Sequence, residues 1–150
     1  MQSDFGQYDF CLNLDSPFLQ DMVLRKYLKT LLWMGFILFA ISIPSSEVSK
    51  IPLVQIPHFD KLVHFTLFFV LTILLISESN PLRREGKIGN KTFYKAALLA
   101  AAYGLLTEVL QYYVFTSRSG SILDLVANLV GVAIAILSYR SISRLSKGLI

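Results

Sequence analysis

Four long apolar stretches alternate with short polar segments along the chain. They run from about Tyr27 to Ile43, Asp60 to Ile76, Tyr94 to Phe115 and Ile122 to Tyr139. At a rise of about 1.5 Å per residue, stretches of roughly 17–22 residues reach about 26–33 Å, the thickness of a bilayer's hydrocarbon core. Helices buried in a soluble domain would be shorter and would carry a polar face. The first two stretches carry almost none. The pattern predicts an all-α, polytopic membrane protein built as a four-transmembrane-helix bundle. Pro44 ends the first stretch, and no internal repeat or low-complexity tract interrupts the rest.

Composition agrees with this reading. The chain is 54% hydrophobic and only 16% charged, against roughly a quarter charged in soluble domains. Its net charge of +4 does not indicate nucleic-acid binding, because the basic residues flank apolar spans, where they anchor loops on the cytoplasmic face. Arg25, Lys26, Lys29, Arg83, Arg84, Lys87, Lys91, Lys95, Arg140, Arg144 and Lys147 fall on one side, and only Lys50, Lys61 and Arg118 on the other. The positive-inside rule then places both termini in the cytoplasm, N-in/C-in, with loops 44–59 and 116–121 facing outward. The outer loop 44–59 alternates prolines with apolar residues and is expected to lie against the membrane surface. The loop Ser77–Thr92 reads as an ordinary polar connector.

Residues 1–25 form an acidic N-terminal extension, 26–140 the four-helix membrane domain and 141–150 a short basic cytoplasmic tail. Residues 1–21 carry four aspartates and no lysine or arginine, unlike a signal peptide. Met22 opens a segment that resembles a normal cytoplasmic start, so either it is the true initiator or 1–21 is an acidic surface tail. Cys11 is the only cysteine, which excludes an intramolecular disulfide; no Cys/His spacing suggests a metal. No metal and no cofactor are expected.

The polar residues inside the spans share one depth. Asp60, Lys61 and His64 open the second span, Glu108 and Gln111 lie late in the third, and Asp124 and Asn128 lie in the first two turns of the fourth. Arg118 sits in the tight loop between the last two. Spacings of three and four residues put each set on one helix face. Ionisable groups in a span face protein rather than lipid. Lys61 has an alternative role as a snorkelling interface residue, Asp124 as a helix N-terminal acid, and Asn128 and Gln111 as interhelical hydrogen-bonding groups. Glu108, two turns inside an apolar helix, requires a partner or a proton; Arg118 and His64 are the expected partners. Gly104 and the Ala127–Gly131–Ala135 ladder predict that the third and fourth spans pack as a tight antiparallel hairpin, with the second completing the polar pocket.

The ordered set Asp60-Lys61-x-x-His64-Phe65, Glu108-x-x-Gln111, Arg118 and Asp124-x-x-x-Asn128-x-x-Gly131 resembles the VanZ-like membrane proteins over about residues 26–140. The resemblance implies a small, multi-pass protein of the bacterial inner membrane and importance for the same eight polar positions. The family's name comes from a glycopeptide-antibiotic resistance locus.

Two functions compete. In one, the outer-leaflet pocket binds an anionic lipid or lipid-linked envelope precursor. Lys61 and Arg118 pair with phosphate, His64 and Asn128 add hydrogen bonds, and the carboxylates orient them. In the other, the protein is an enzyme acting on a lipid phosphate or lipid-linked glycan. His64 is then the acid/base, Glu108 its orienter and Arg118 the stabiliser of developing charge. Against catalysis, the sequence has no common lipid-phosphatase pattern, no acidic cluster of the alcohol-phosphotransferase kind and no activated Ser or Cys signature. A transporter is disfavoured, since no polar path crosses the cytoplasmic half.

Overall fold

The computed structural model describes residues 24–43, 58–79, 89–114 and 121–145. The expectations for the N-terminal extension up to residue 23, for 44–57, for 80–88, for Arg118 and for the last five residues lie outside the described residues. Among the described residues, four helices appear in chain order: α1 (Leu28–Ser42), α2 (Phe59–Ser79), α3 (Asn90–Tyr113) and α4 (Ile122–Leu145). The last three are long and apolar enough to cross a membrane.

The remaining expected span, at α1, is met by a shorter apolar helix. This helix has 15 residues, about 22 Å of rise, less than the roughly 30 Å of a hydrocarbon core. Ile43 leaves the helix in an extended conformation (φ −68°, ψ 124°), as a residue preceding proline must to avoid the proline ring. The other helices extend past their apolar stretches. α3 starts at Asn90 and α4 runs to Leu145, because Lys, Arg and Ser are acceptable helix residues even where they end an apolar pattern. Hydropathy marks the span, not the helix.

Burial is inverted relative to a soluble bundle. Leu98 is 72% and Leu137 81% exposed, whereas His64, Glu108, Gln111, Asp124 and Asn128 are buried. Leucine outward and amide inward is favourable only when the surroundings are apolar. The interior core is built by Phe68, Leu71 and Ile76 of α2, Ala96 and Ala100 of α3, Val132 and Ala135 of α4 and Ile37 of α1. Two threonine hydroxyls inside it are satisfied within their own helix: Thr72 donates to the Phe68 carbonyl and Thr107 to that of Gly104, both at 2.8 Å.

The closest helix pair is α2 with α4, not the expected α3–α4 hairpin. A Cβ on Gly131 would lie 2.4 Å from the Phe65 carbonyl oxygen and 3.1 Å from the Phe69 nitrogen, so the small-residue ladder of α4 admits the backbone of α2. Lys61 meets Asp124, His64 meets Asn128 and Phe65 meets Gly131. The paired numbers rise together, so α2 and α4 run parallel, and α3 runs antiparallel between them in sequence. Periodicity identified the ladder's face correctly but assigned it the wrong neighbour.

α1 is held by side-chain bonds rather than by extensive packing. Glu78, near the end of α2, accepts from the Thr30 hydroxyl at 2.6 Å and from its N–H at 3.2 Å. Trp33 donates from Nε1 to the Leu67 carbonyl at 3.0 Å, and the Tyr103 hydroxyl to the Met34 carbonyl at 2.7 Å. The Glu78 carboxylate thereby caps the N-terminal turn of α1, whose free N–H groups and dipole favour an anion.

Candidate functional site

The polar residues of α2, α3 and α4 gather at one end of the bundle. α2 starts there with His58 in the left-handed region (φ 65°). Its carbonyl accepts the N–H groups of Lys61 and Leu62 at 3.1 and 3.3 Å, so it opens the helix one residue before Phe59. The first turn of α2 then presents Asp60 and Lys61, and the second turn His64.

Two layers, one helical turn apart, make up the cluster. The deeper layer holds His64, Asn128 and Glu108. His64 Nδ1 lies 3.1 Å from Asn128 Oδ1, and Asn128 Nδ2 donates to Glu108 Oε1 at 3.4 Å. His64 Nδ1 is also 3.8 Å from Glu108 Oε1. Donor chemistry orients this relay. Asn128 turns its amide nitrogen, a donor only, to the Glu108 oxygen. Its oxygen then faces His64, whose Nδ1 must carry the proton and donate. In the neutral ring Nε2 is left with the lone pair. Asn128 is 1% exposed and His64 3%, so solvent does not replace these bonds.

The shallower layer holds Asp60, Lys61 and Asp124, with Gln111 at the same level by the register of α3. Lys61 Nζ lies 3.0 Å from Asp124 Oδ1. The lysine is 30% exposed along its side chain and the aspartate 8%, so the ammonium borders the surface while the carboxylate is fixed inside. Gln111 is buried, and its Oε1 has no hydrogen-bond partner among the described residues. Gly104, one turn below Glu108, brings α3 close: a Cβ there would lie 3.2 Å from the Phe68 ring and 3.6 Å from Asn128 Cβ.

Seven of the eight residues singled out by spacing thus come to one end of the bundle. The eighth, Arg118, lies outside the described residues. A groove of about 270 Å³ adjoins the cluster, with Glu108 at its wall beside Tyr112, Tyr113, Ser121, Ile122 and Leu125. A larger groove, about 470 Å³, lies at the opposite end between α3 and α4, where Arg140 stands 5.9 Å from the centre of the Phe93 ring. It shares no residue with the polar cluster.

Sequence reasoning missed two features. Glu78 borders a polar loop, where nothing contrasts with it, so it read as part of the connector. The carboxylates of Asp60 and Asp124 and a ring nitrogen of His64 also offer ligand atoms that all lie within 4.8 Å of one another. Asp60 and Asp124 are 64 residues apart in the chain, so only the parallel α2–α4 register unites them.

A family model described as VanZ/LLP1 matches residues 23–144. The chain belongs to the VanZ/LLP1 family. All four described helices lie within the match apart from the last residue of α4. Membership, with three helices long and apolar enough to cross a membrane, fits a membrane protein. Comparisons with curated proteins and with solved structures return no match.

Proposed function

We propose that this VanZ/LLP1 protein binds the phosphate-bearing headgroup of an anionic lipid or lipid-linked envelope precursor in the outer leaflet of the bacterial inner membrane. The observation that carries this reading is the union of a buried hydrogen-bonded cluster with an apolar groove at one end of the bundle. An amphipathic ligand matches both. Its headgroup would meet Lys61, His64 and Arg118, and its chain would follow Tyr112, Ile122 and Leu125. Lys61 is suited to this because its ammonium borders the surface and can turn from Asp124 to phosphate. Arg118 would add a planar, two-pronged donor. Asp60, Glu108, Gln111, Asp124 and Asn128 would position these groups. Capture of lipid-linked precursors would connect the protein to glycopeptide-antibiotic tolerance.

Native mass spectrometry from mixed-lipid vesicles tests this. Retention of anionic lipids over zwitterionic ones is expected, and its loss in Lys61→Ala and Arg118→Ala. Retention without headgroup preference, or unchanged in both variants, would contradict it.

A second reading, an enzyme acting on a lipid phosphate or lipid-linked glycan, draws on the 3.8 Å approach of His64 to Glu108. His64 would move the proton and Glu108 would orient it through Asn128. Loss of cellular function in Glu108→Gln and His64→Ala, with folding and lipid retention unchanged, would favour this reading. Retained function in both would remove it.

A further inference from the structure

We propose that Asp60, His64 and Asp124 form a divalent-cation site between the two polar layers. Their ligand atoms lie within 4.8 Å of one another, and His64 and Asp124 are buried. Neighbouring ligands around a cation with bonds of about 2.1 Å stand roughly 3.0–3.4 Å apart, so side-chain rotations that draw the atoms together by about 1–2 Å would close the set. Two carboxylates and an imidazole suit Mn²⁺ or Zn²⁺.

Three further observations support a cation there. First, a metal-ligating histidine characteristically donates its other ring N–H to an oxygen, which fixes its tautomer. His64 Nδ1 faces Asn128 Oδ1 at 3.1 Å, and Asn128 is itself anchored on Glu108. That arrangement leaves the Nε2 lone pair for a metal. Second, the buried Gln111 Oε1, at the level of Asp60 and Asp124, lacks a hydrogen-bond partner among the described residues. An amide oxygen is an acceptable ligand for a hard cation, directly or through water. Third, one position beside Asp124 already holds a cation: the Lys61 ammonium, 3.0 Å from Oδ1. Its partial exposure lets it swing outward when a metal enters.

This cation deepens the headgroup reading, on which its use, though not its place, rests. Asp60, Glu108 and Asp124 surround the cluster with carboxylates, which repel phosphate. A bound divalent ion would reverse the local field and offer phosphate an electrophilic partner. Lys61, freed from Asp124, would join it.

Mn²⁺ binding to the full chain in lipid-free detergent provides the test, read by electron paramagnetic resonance. One Mn²⁺ per chain is expected, with ¹⁴N coupling from an imidazole that disappears in His64→Asn. Asp60→Asn and Asp124→Asn should weaken binding about tenfold or more, judged by the scale of losses when metal-supporting groups are removed. Lys61→Gln should tighten it several-fold by removing the competing ammonium. Circular dichroism of each variant verifies that the helices persist. Substoichiometric binding, absent ¹⁴N coupling, or affinity indifferent to these substitutions would overturn the site. Because no lipid is present, failure here leaves the headgroup reading standing. Conversely, stoichiometric Mn²⁺ without anionic-lipid retention would sink the headgroup reading alone.

Discussion

Replacing Asn128 by leucine, which keeps its branched outline but not its polar atoms, would remove the hydrogen bonds to His64 Nδ1 and to Glu108 Oε1. Each buried polar group deprived of a partner costs about 1–3 kcal/mol. Asn128→Leu should therefore lower the thermal midpoint of the detergent-solubilised protein by more than a substitution at lipid-facing Leu137. A double-mutant cycle with His64 should show coupling of at least about 0.5 kcal/mol; additive losses would mean that the relay carries no energy. This cluster was legible in the sequence because a carboxylate or amide inside an apolar helix contrasts sharply with its neighbours. Lys61/His64, Glu108/Gln111 and Asp124/Asn128 also keep helical spacing. The pairing was not legible. Spacing put His64 and Glu108 at one depth, but nothing in it specified that Asn128 stands between them, donating to one and accepting from the other.

At the scale of helices, the tightest constraint is Gly131. A methyl there would meet backbone atoms of α2 at 2.4 Å, and backbone cannot rotate aside. Gly104 meets the edge of the Phe68 ring at 3.2 Å, which a small tilt relieves. Gly131→Ala should thus destabilise the protein by about 1–3 kcal/mol, the usual range for overpacking, and Gly104→Ala by clearly less. Thermal denaturation of both variants would check the order; a reversed order would mean that α2 and α4 are not in close contact. Glu78→Gln should loosen α1 specifically, raising amide-hydrogen exchange in its first turn while α2 to α4 stay protected. Unchanged exchange there would show that the Thr30–Glu78 bonds contribute little. The ladder Ala127–Gly131–Ala135 was readable as a close-packing face, yet its partner was not, since periodicity defines a direction from one helix and not what stands in that direction. The end of α1 departs by one residue from the apolar pattern: apolar residues continue up to Pro44, but Ile43 is already extended ahead of the proline.

For the molecule as a whole, the arrangement is one of unequal ends. Among the described residues, hydrophilic groups of α2, α3 and α4 meet at one, and the other carries the Thr30–Glu78 pair and the Arg140 groove. The basic-residue asymmetry predicts which end faces out. With Cys11 replaced by serine, a single cysteine at Ser121 should react with a membrane-impermeant maleimide added to whole cells, and one at Ser79 only after permeabilisation. The opposite pattern would invert the topology and direct the site to the cytoplasmic leaflet. That bias was legible because basic residues cluster in short segments. The ligand was not legible, because phosphate, a cation and a closed internal network all call for the same few residue types. The most direct test of the headgroup claim is a structure of the protein determined in native lipid. The account predicts density for a phosphate-bearing headgroup within hydrogen-bonding reach of Lys61 or Arg118, with its acyl chain along Tyr112 and Ile122. A cluster closed wholly by its own side chains, with no lipid headgroup beside it, would contradict it.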